Sequence, residues 1–223
     1  MASTGTDRAG GATPAGQAAL REELDTYQRR RRIVLAASIL LLAPILLLGQ
    51  SAFPPGTIFQ ESLEMLGILM IFLGIVGRLW STLYIGGRKG MELVTGGPYS
   101  VTRNPLYIFS TLAVAGIGAQ TGSIVATLCF AAISIAALHV VIRREERYLR
   151  QALGGRYGAY CARVPRFWPR WSLYEEGAVG VVDPRRLRQT LFDGLFFFLA
   201  VPAFDLLDRA QSAGTLPVLF RLP

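Results

Sequence analysis

The stretch SIVATLCFAAISIAALHVVIRREER, Ser123 to Arg147, decides the fold. From Ser123 to Ile142 it carries no charged side chain, and Arg143, Arg144, Glu145, Glu146 and Arg147 then follow without a break. About 20 apolar residues rising ~1.5 Å each cross the ~30 Å hydrocarbon core of a bilayer. The predicted element is a membrane helix with a charged, water-facing end. His139 sits near that end, where a packed or snorkelling imidazole is the ordinary outcome.

Four more apolar blocks flank this one, at Ile33–Gln50, Ile58–Tyr84, Leu106–Gln120 and Leu191–Leu207. The sequence therefore predicts an all-α, polytopic membrane helix bundle of about five transmembrane helices. Pro44 is expected to kink the first block, and Pro54-Pro55-Gly56 turns the chain into the second. Gln120-Thr121-Gly122 is so short a connection that the blocks on either side read as a helical hairpin. Leu106–Gln120 is short for a full crossing. Asp193, Asp205 and Asp208 make the last block the most polar. Residues 1–28, rich in Ala, Gly and Thr, read as a disordered cytoplasmic tail, and 29–223 as one membrane domain.

Basic residues orient the bundle. Of 23 Lys and Arg, 6 lie in residues 1–32, including the run Arg29–Arg32, 4 in 78–105 and 11 in 143–190. Only Arg209 and Arg221 fall elsewhere. By the positive-inside rule, an N-terminus in the cytoplasm places these three segments there and the C-terminal tail outside. The expected location is the plasma (inner) membrane of a bacterium. Arg78, near the end of the second block, is expected to snorkel to the interface.

Composition removes several function classes. The chain has 223 residues, 52% of them apolar, and a formal charge of +8. No basic stripe alternates with exposed aromatics, so no nucleic-acid partner is expected. Cytoplasmic arginines facing anionic headgroups account for the charge, and membrane lipids are the expected partners. Cys129, Cys161 and the single histidine are too scattered for a disulfide or a metal cluster. The oligomeric state is not legible.

The chemistry-bearing residues fall in two polar segments. The first contains Leu93, Val94, Gly97-Pro98-Tyr99 and Arg103-Asn104-Pro105-Leu106-Tyr107. Asn is a good N-cap and Pro a good first helical residue, so Asn104 and Pro105 are expected to open a helix. That leaves unexplained why Tyr99, Arg103 and Tyr107 crowd its mouth. The second segment puts Glu145 and Glu146 at the dipole-disfavoured end of a helix. Two adjacent acids there suggest a ligand with a cationic part.

Together, Gly97-Pro98-Tyr99, Arg103-Asn104-Pro105-Leu106-Tyr107, Glu145-Glu146-Arg147-Tyr148-Leu149, Gly154-x-x-Tyr157-x-x-Tyr160 and Val164-Pro165-Arg166-Phe167-Trp168-Pro169 resemble one known family. It is the isoprenylcysteine carboxyl methyltransferase and phospholipid methyltransferase superfamily, and the similarity spans residues 85–170. The resemblance implies a membrane methyltransferase that binds S-adenosylmethionine in a cytoplasm-facing pocket. It implies Leu93, Val94 and Tyr99 on the adenosine side and Asn104, Pro105, Leu106 and Tyr107 as a wall against the cofactor. Glu145 would hold the cofactor's amino-acid part, while Arg103 and Glu146 would be catalytic, orienting the acceptor. That acceptor would be amphiphilic or lipid-like: a prenylcysteine carboxylate, a lipid amine or a hydrophobic thiol.

The sequence departs from the family twice. Asn104 stands where the family has a histidine, which removes any titrating base at that position. Phe109 replaces a small residue and is expected to narrow the lipid-side entrance. Two other classes stay compatible with the residues, a membrane reductase of the sterol-reductase-like type and a non-catalytic scaffold using 143–190 on anionic lipids.

Overall fold

The computed structural model describes residues 40–44, 47–54, 56–85, 93–177 and 182–223. The expected tail 1–28, the run Arg29–Arg32 and half of the block Ile33–Gln50 lie outside the described residues. Residues 40–44 and 47–48 are helical, and the further α-helices among the described residues are, in chain order, α1 (Ile58–Ile85), α2 (Pro98–Val101), α3 (Pro105–Ala119), α4 (Ile124–Leu153), α5 (Gly155–Arg163), α6 (Pro184–Phe198) and α7 (Ala200–Ser212). A short parallel pair, β1 (Gly49–Ser51) with β2 (Phe220–Leu222), joins the two ends of the described chain, with Gly49 opposite Phe220.

Among the described residues, three stretches are long and apolar enough to cross a membrane: α1, α4, and α6 with α7 taken together. They present Leu69, Phe72, Leu73, Leu128 and Ile135 outward. An apolar surface of that extent is what a lipid-facing helix presents. The protein is a membrane protein on this ground. α3 is apolar but has only 15 residues, about 22 Å of helix.

Small residues bring α1 and α3 together. A Cβ built on Gly74 would sit 2.7 Å from both the Phe109 carbonyl oxygen and Ala113 Cβ, and one on Gly116 would sit 2.6 Å from the Gly67 carbonyl. Close backbone approach of this kind substitutes for the hydrophobic effect where the surroundings are already apolar. At the far end Gln120 Nε2 donates to the Glu64 carbonyl at 2.8 Å. The expected hairpin forms: Gly122, at φ +65°, turns the chain, and Ser123 Oγ caps α4 by accepting from Ala126 N at 3.1 Å.

α4 carries its charged end, as expected, and continues past Arg147 to Leu153, where Gly154 takes φ +54° and ends it. Other expectations need correction. The last block is two helices, α6 and α7. Pro202 has no N–H and its ring opposes the carbonyl four residues back, at Phe198, and the break falls at Leu199. Arg78 does not snorkel freely: its Nη1 donates to Ser110 Oγ on α3 at 2.8 Å, and its guanidinium lies 5.8 Å from the Phe197 ring of α6. His139 is packed, 5.9 Å from the Phe167 ring, and both cysteines are free thiols.

Candidate functional site

The polar end of the bundle is built by two extended segments lying against each other. The first leaves Gly97, whose φ of +58° and position against the Tyr84 ring leave no room for a Cβ. Pro98 then starts the single turn α2, and residues 102–104 lead into α3. The second segment follows α5. Arg103 N donates to the Pro165 carbonyl at 2.9 Å, Arg170 N to the Val101 carbonyl at 3.0 Å, and Thr102 Oγ1 to the Arg166 carbonyl at 3.2 Å.

A strap continues from there. After a 3₁₀ turn at Trp171–Leu173, Gly97 N donates to the Glu175 carbonyl at 2.8 Å and Glu175 N to Ser100 Oγ at 3.0 Å. Beneath it Tyr157, Tyr160 and Val164 form a small core with Leu93 and Leu149 packed on it. Tyr160 Oη donates to the Tyr99 carbonyl at 2.7 Å, fixing α5 to α2.

These segments, with the extended end of α4, enclose a cavity of about 190 Å³. Leu93, Val94, Tyr99, Arg103, Asn104, Leu106, Tyr107, Glu145 and Glu146 all line it. Pro105 does not reach it; it is buried at the first position of α3. Ile85, Leu149, Tyr157 and Tyr160 complete the wall. The two tyrosines carry the Gly-x-x-Tyr-x-x-Tyr spacing, so that motif was the signal for them.

The two glutamates face different partners. Glu145 Oε2 accepts from Tyr107 Oη at 2.7 Å. Glu146, with its side chain only 5% exposed, is gripped by Arg166 through Nε–Oε1 at 3.1 Å and Nη2–Oε2 at 2.5 Å, and met by Arg103 Nη1 at 3.3 Å. The hydrogen bond to Glu146 raises the Arg166 pKa further. Burial, and then the negative charge of Glu145, push the Tyr99 phenol well above its ordinary value of 10.0. Burial does the same for Tyr157 and Tyr160. The tyrosines around the cavity are therefore neutral donors.

Two expectations change here. Asn104 occupies the N-cap position of α3 but makes no side-chain cap bond. Its Nδ2 donates instead to the Arg166 carbonyl at 3.1 Å, because the adjoining segment offers a fixed acceptor. Phe109 lines no entrance. It faces α1, 6.4 Å from the Trp80 ring and against Gly77. Arg166 stood in the Val164-Pro165-Arg166-Phe167-Trp168-Pro169 motif without a role of its own, because the motif does not show that its side chain folds back onto Glu146.

A second cavity of about 320 Å³ adjoins the first, lined by Tyr107, Ile108, Thr111, Ile135, Leu138, Ile142, Phe167, Trp168 and Pro169. Tyr107 is common to both. Among the described residues, no group of three or more His, Cys, Asp or Glu is placed to hold a metal ion.

The comparisons with known proteins agree with this geometry. Residues 63–156 match the phospholipid methyltransferase family. The cobalt-zinc-cadmium resistance protein CzcN of Cupriavidus metallidurans is 37% identical over 202 residues, covering 89% of this chain and 93% of that protein. The nickel-cobalt-cadmium resistance protein NccN of Alcaligenes xylosoxydans xylosoxydans is 33% identical, covering 90% and 93%. No solved structure matches significantly. Helices that suit a membrane, the matched region and the clustering of its motif residues lead to one assignment: the chain belongs to the phospholipid methyltransferase family, within the isoprenylcysteine and phospholipid methyltransferase superfamily.

Proposed function

We propose that this protein is an S-adenosylmethionine-dependent methyltransferase acting on an amphiphilic acceptor at the cytoplasmic face of a bacterial inner membrane. The observation that carries it is the convergence of Tyr99, Arg103, Asn104, Tyr107 and Glu145 on one cavity, from two separate stretches of chain. The wall suits the cofactor. Glu145 provides a carboxylate for an ammonium group, and the tyrosine faces suit a sulfonium cation. Two buried wall atoms, Tyr99 Oη and Arg103 Nε, have no hydrogen-bond partner among the described residues. Unmet buried donors of this kind carry a cost of about 1–3 kcal/mol, which a polar ligand relieves.

When bound, the cofactor supplies an electrophilic methyl group on a positively charged sulfur. An acceptor nucleophile would take that methyl group in line, with the bond to sulfur breaking as the new bond forms and the electron pair going to the sulfur. The residues contribute position and dryness. Glu145 and Tyr107 hold the donor end, Arg103 orients the acceptor, and the aromatic wall keeps water out. Holding two reactants in line contributes up to about 7–11 kcal/mol without any covalent enzyme intermediate. The apolar cavity behind Tyr107, between α3 and α4, takes the acceptor's tail. The names of the two relatives suggest that the methylation belongs to a response to cobalt, zinc, cadmium or nickel ions.

Calorimetric titration of purified protein with S-adenosylhomocysteine tests the reading, and saturable binding is expected. Binding of a nicotinamide cofactor in its place would support the reductase class. Binding of neither would leave a membrane scaffold.

A further inference from the structure

The cavity has two electrical poles. Glu145, with Tyr107 donating to it, makes one wall negative. The cavity wall also carries Arg103 and Glu146, which at first sight cancel. They do not cancel, because Glu146 is already committed. Arg166 meets both of its oxygens with a guanidinium fork, the strongest geometry available to such a pair. Arg103 touches only one oxygen, at 3.3 Å, through an Nη1 that also lies 3.0 Å from Cys161 Sγ.

Two guanidinium charges against one carboxylate leave a single positive charge. Its place is set by burial. Arg166 is 31% exposed and off the cavity wall, so water and salt screen it, while Arg103 is 12% exposed and on the wall. A charge shielded from water acts through a low effective dielectric. The backbone keeps this arrangement: the carbonyl of Arg166 receives Asn104 Nδ2 and Thr102 Oγ1, so the residue that carries the fork is tied to the neighbours of Arg103.

We infer that Arg166 is a positioning residue which occupies Glu146 and so leaves Arg103 free to bind an anionic group, carboxylate or phosphate, on the methyl acceptor. Glu146 does not touch the acceptor; it sets the angle and the net charge of Arg103. The inference deepens the methyl-transfer reading and rests on it for the identity of the anion's carrier.

The test is a charge-rescue series. Full-length protein in nonionic detergent is titrated with dodecyl phosphate, dodecanoate and uncharged 1-dodecylglycerol, and separately with S-adenosylhomocysteine. Wild type is expected to prefer the anionic amphiphiles, and the two of them distinguish phosphate from carboxylate. Arg166→Met turns Glu146 onto Arg103 and should weaken anion binding about tenfold or more. Arg166→Met/Glu146→Gln restores one positive charge and should recover most of that loss. A purely structural role for Arg166 would make the double variant no better than the single, and that result overturns the inference.

If neither variant folds, Arg166→Lys decides, with retained anion preference supporting the inference and lost preference sinking it. Rescue seen only with S-adenosylhomocysteine would assign the anion to the cofactor and overturn the acceptor assignment. Failure of wild type to bind S-adenosylhomocysteine, with charge rescue intact, would instead remove the methyl-transfer reading.

Discussion

The two halves of this molecule are held together by opposite means. In the membrane half, α1 meets α3 largely through glycine and alanine, which bring the two backbones close at Gly67, Gly74 and Gly116. In the polar half, the segments 101–104, 165–170 and 173–177 are joined by hydrogen bonds, and the charges of Arg103, Glu146 and Arg166 are matched. The difference follows from the solvent. Lipid offers no hydrophobic gain for helix association, so close van der Waals contact must supply it. At the water boundary each buried polar group needs a partner, and function resides where one is left without. Added volume should therefore damage the first half, and lost polarity the second.

The largest effect is expected from Gly74→Val. Its Cβ would lie 2.7 Å from a backbone carbonyl oxygen, which cannot swing aside as a side chain would. Overpacking costs about 1–3 kcal/mol, and this site should fall at or above the upper end. Thermal unfolding in detergent measures it. A variant as stable as wild type would show that α1 and α3 are not packed this closely.

Glu145→Gln should leave folding intact and weaken S-adenosylhomocysteine binding. A charge-assisted hydrogen bond is worth ~1.5–3 kcal/mol, or about tenfold to a hundredfold in affinity. Unchanged affinity would return Glu145 to a purely structural role beside Tyr107.

Asn104→Ala should cost about 0.5–1.5 kcal/mol of stability, the worth of one neutral hydrogen bond. What is lost is the bond to the Arg166 carbonyl, since the side chain makes no cap bond. Asn104→His should add a limb near pH 6–7 to the pH profile of activity, where imidazole titrates. The wild-type profile should lack it. A matching limb in the wild type would place a titrating group elsewhere in the site.

Sequence patterns revealed the membrane helices because a bilayer demands an apolar run long enough to count. They placed Glu145 and Glu146 on the charged end of α4 but missed its continuation to Leu153, since a water-facing helix of charged residues has no such run. The split at Leu199 had a visible cause in Pro202, but a prolonged apolar block hides its own interruption. At the candidate site, nine of the ten singled-out residues line the cavity, because they lie in short motifs whose spacing is local. The role of Arg166 and the true partner of Asn104 were not legible. Arg166 stood in a quoted motif, but its pairing with Glu146 spans 20 residues and the bond from Asn104 to its carbonyl spans 62, and a local pattern records neither contact.

The smallest effects separate backbone conformation from space, and they sharpen the contrast between the halves. Gly154 and Gly158 lie four residues apart at the polar end, and a Cβ on either would meet nothing within 4 Å. Crowding, which decides the outcome at Gly74, is absent at both. They differ in φ: Gly154 is at +54°, while Gly158 is not among the positive-φ glycines and lies inside α5. Gly158→Ala should then stabilise by about 0.5–1 kcal/mol, because alanine has less freedom to lose on folding and the higher helix propensity. Gly154→Ala should destabilise by about 1 kcal/mol or more, because a side chain is strained there however much room it has. Neither should change S-adenosylhomocysteine affinity, since neither residue lines the cavity. Paired thermal unfolding in one detergent reads the difference. If both substitutions move stability in the same direction, the sharp turn between α4 and α5 is not held by the conformation of Gly154.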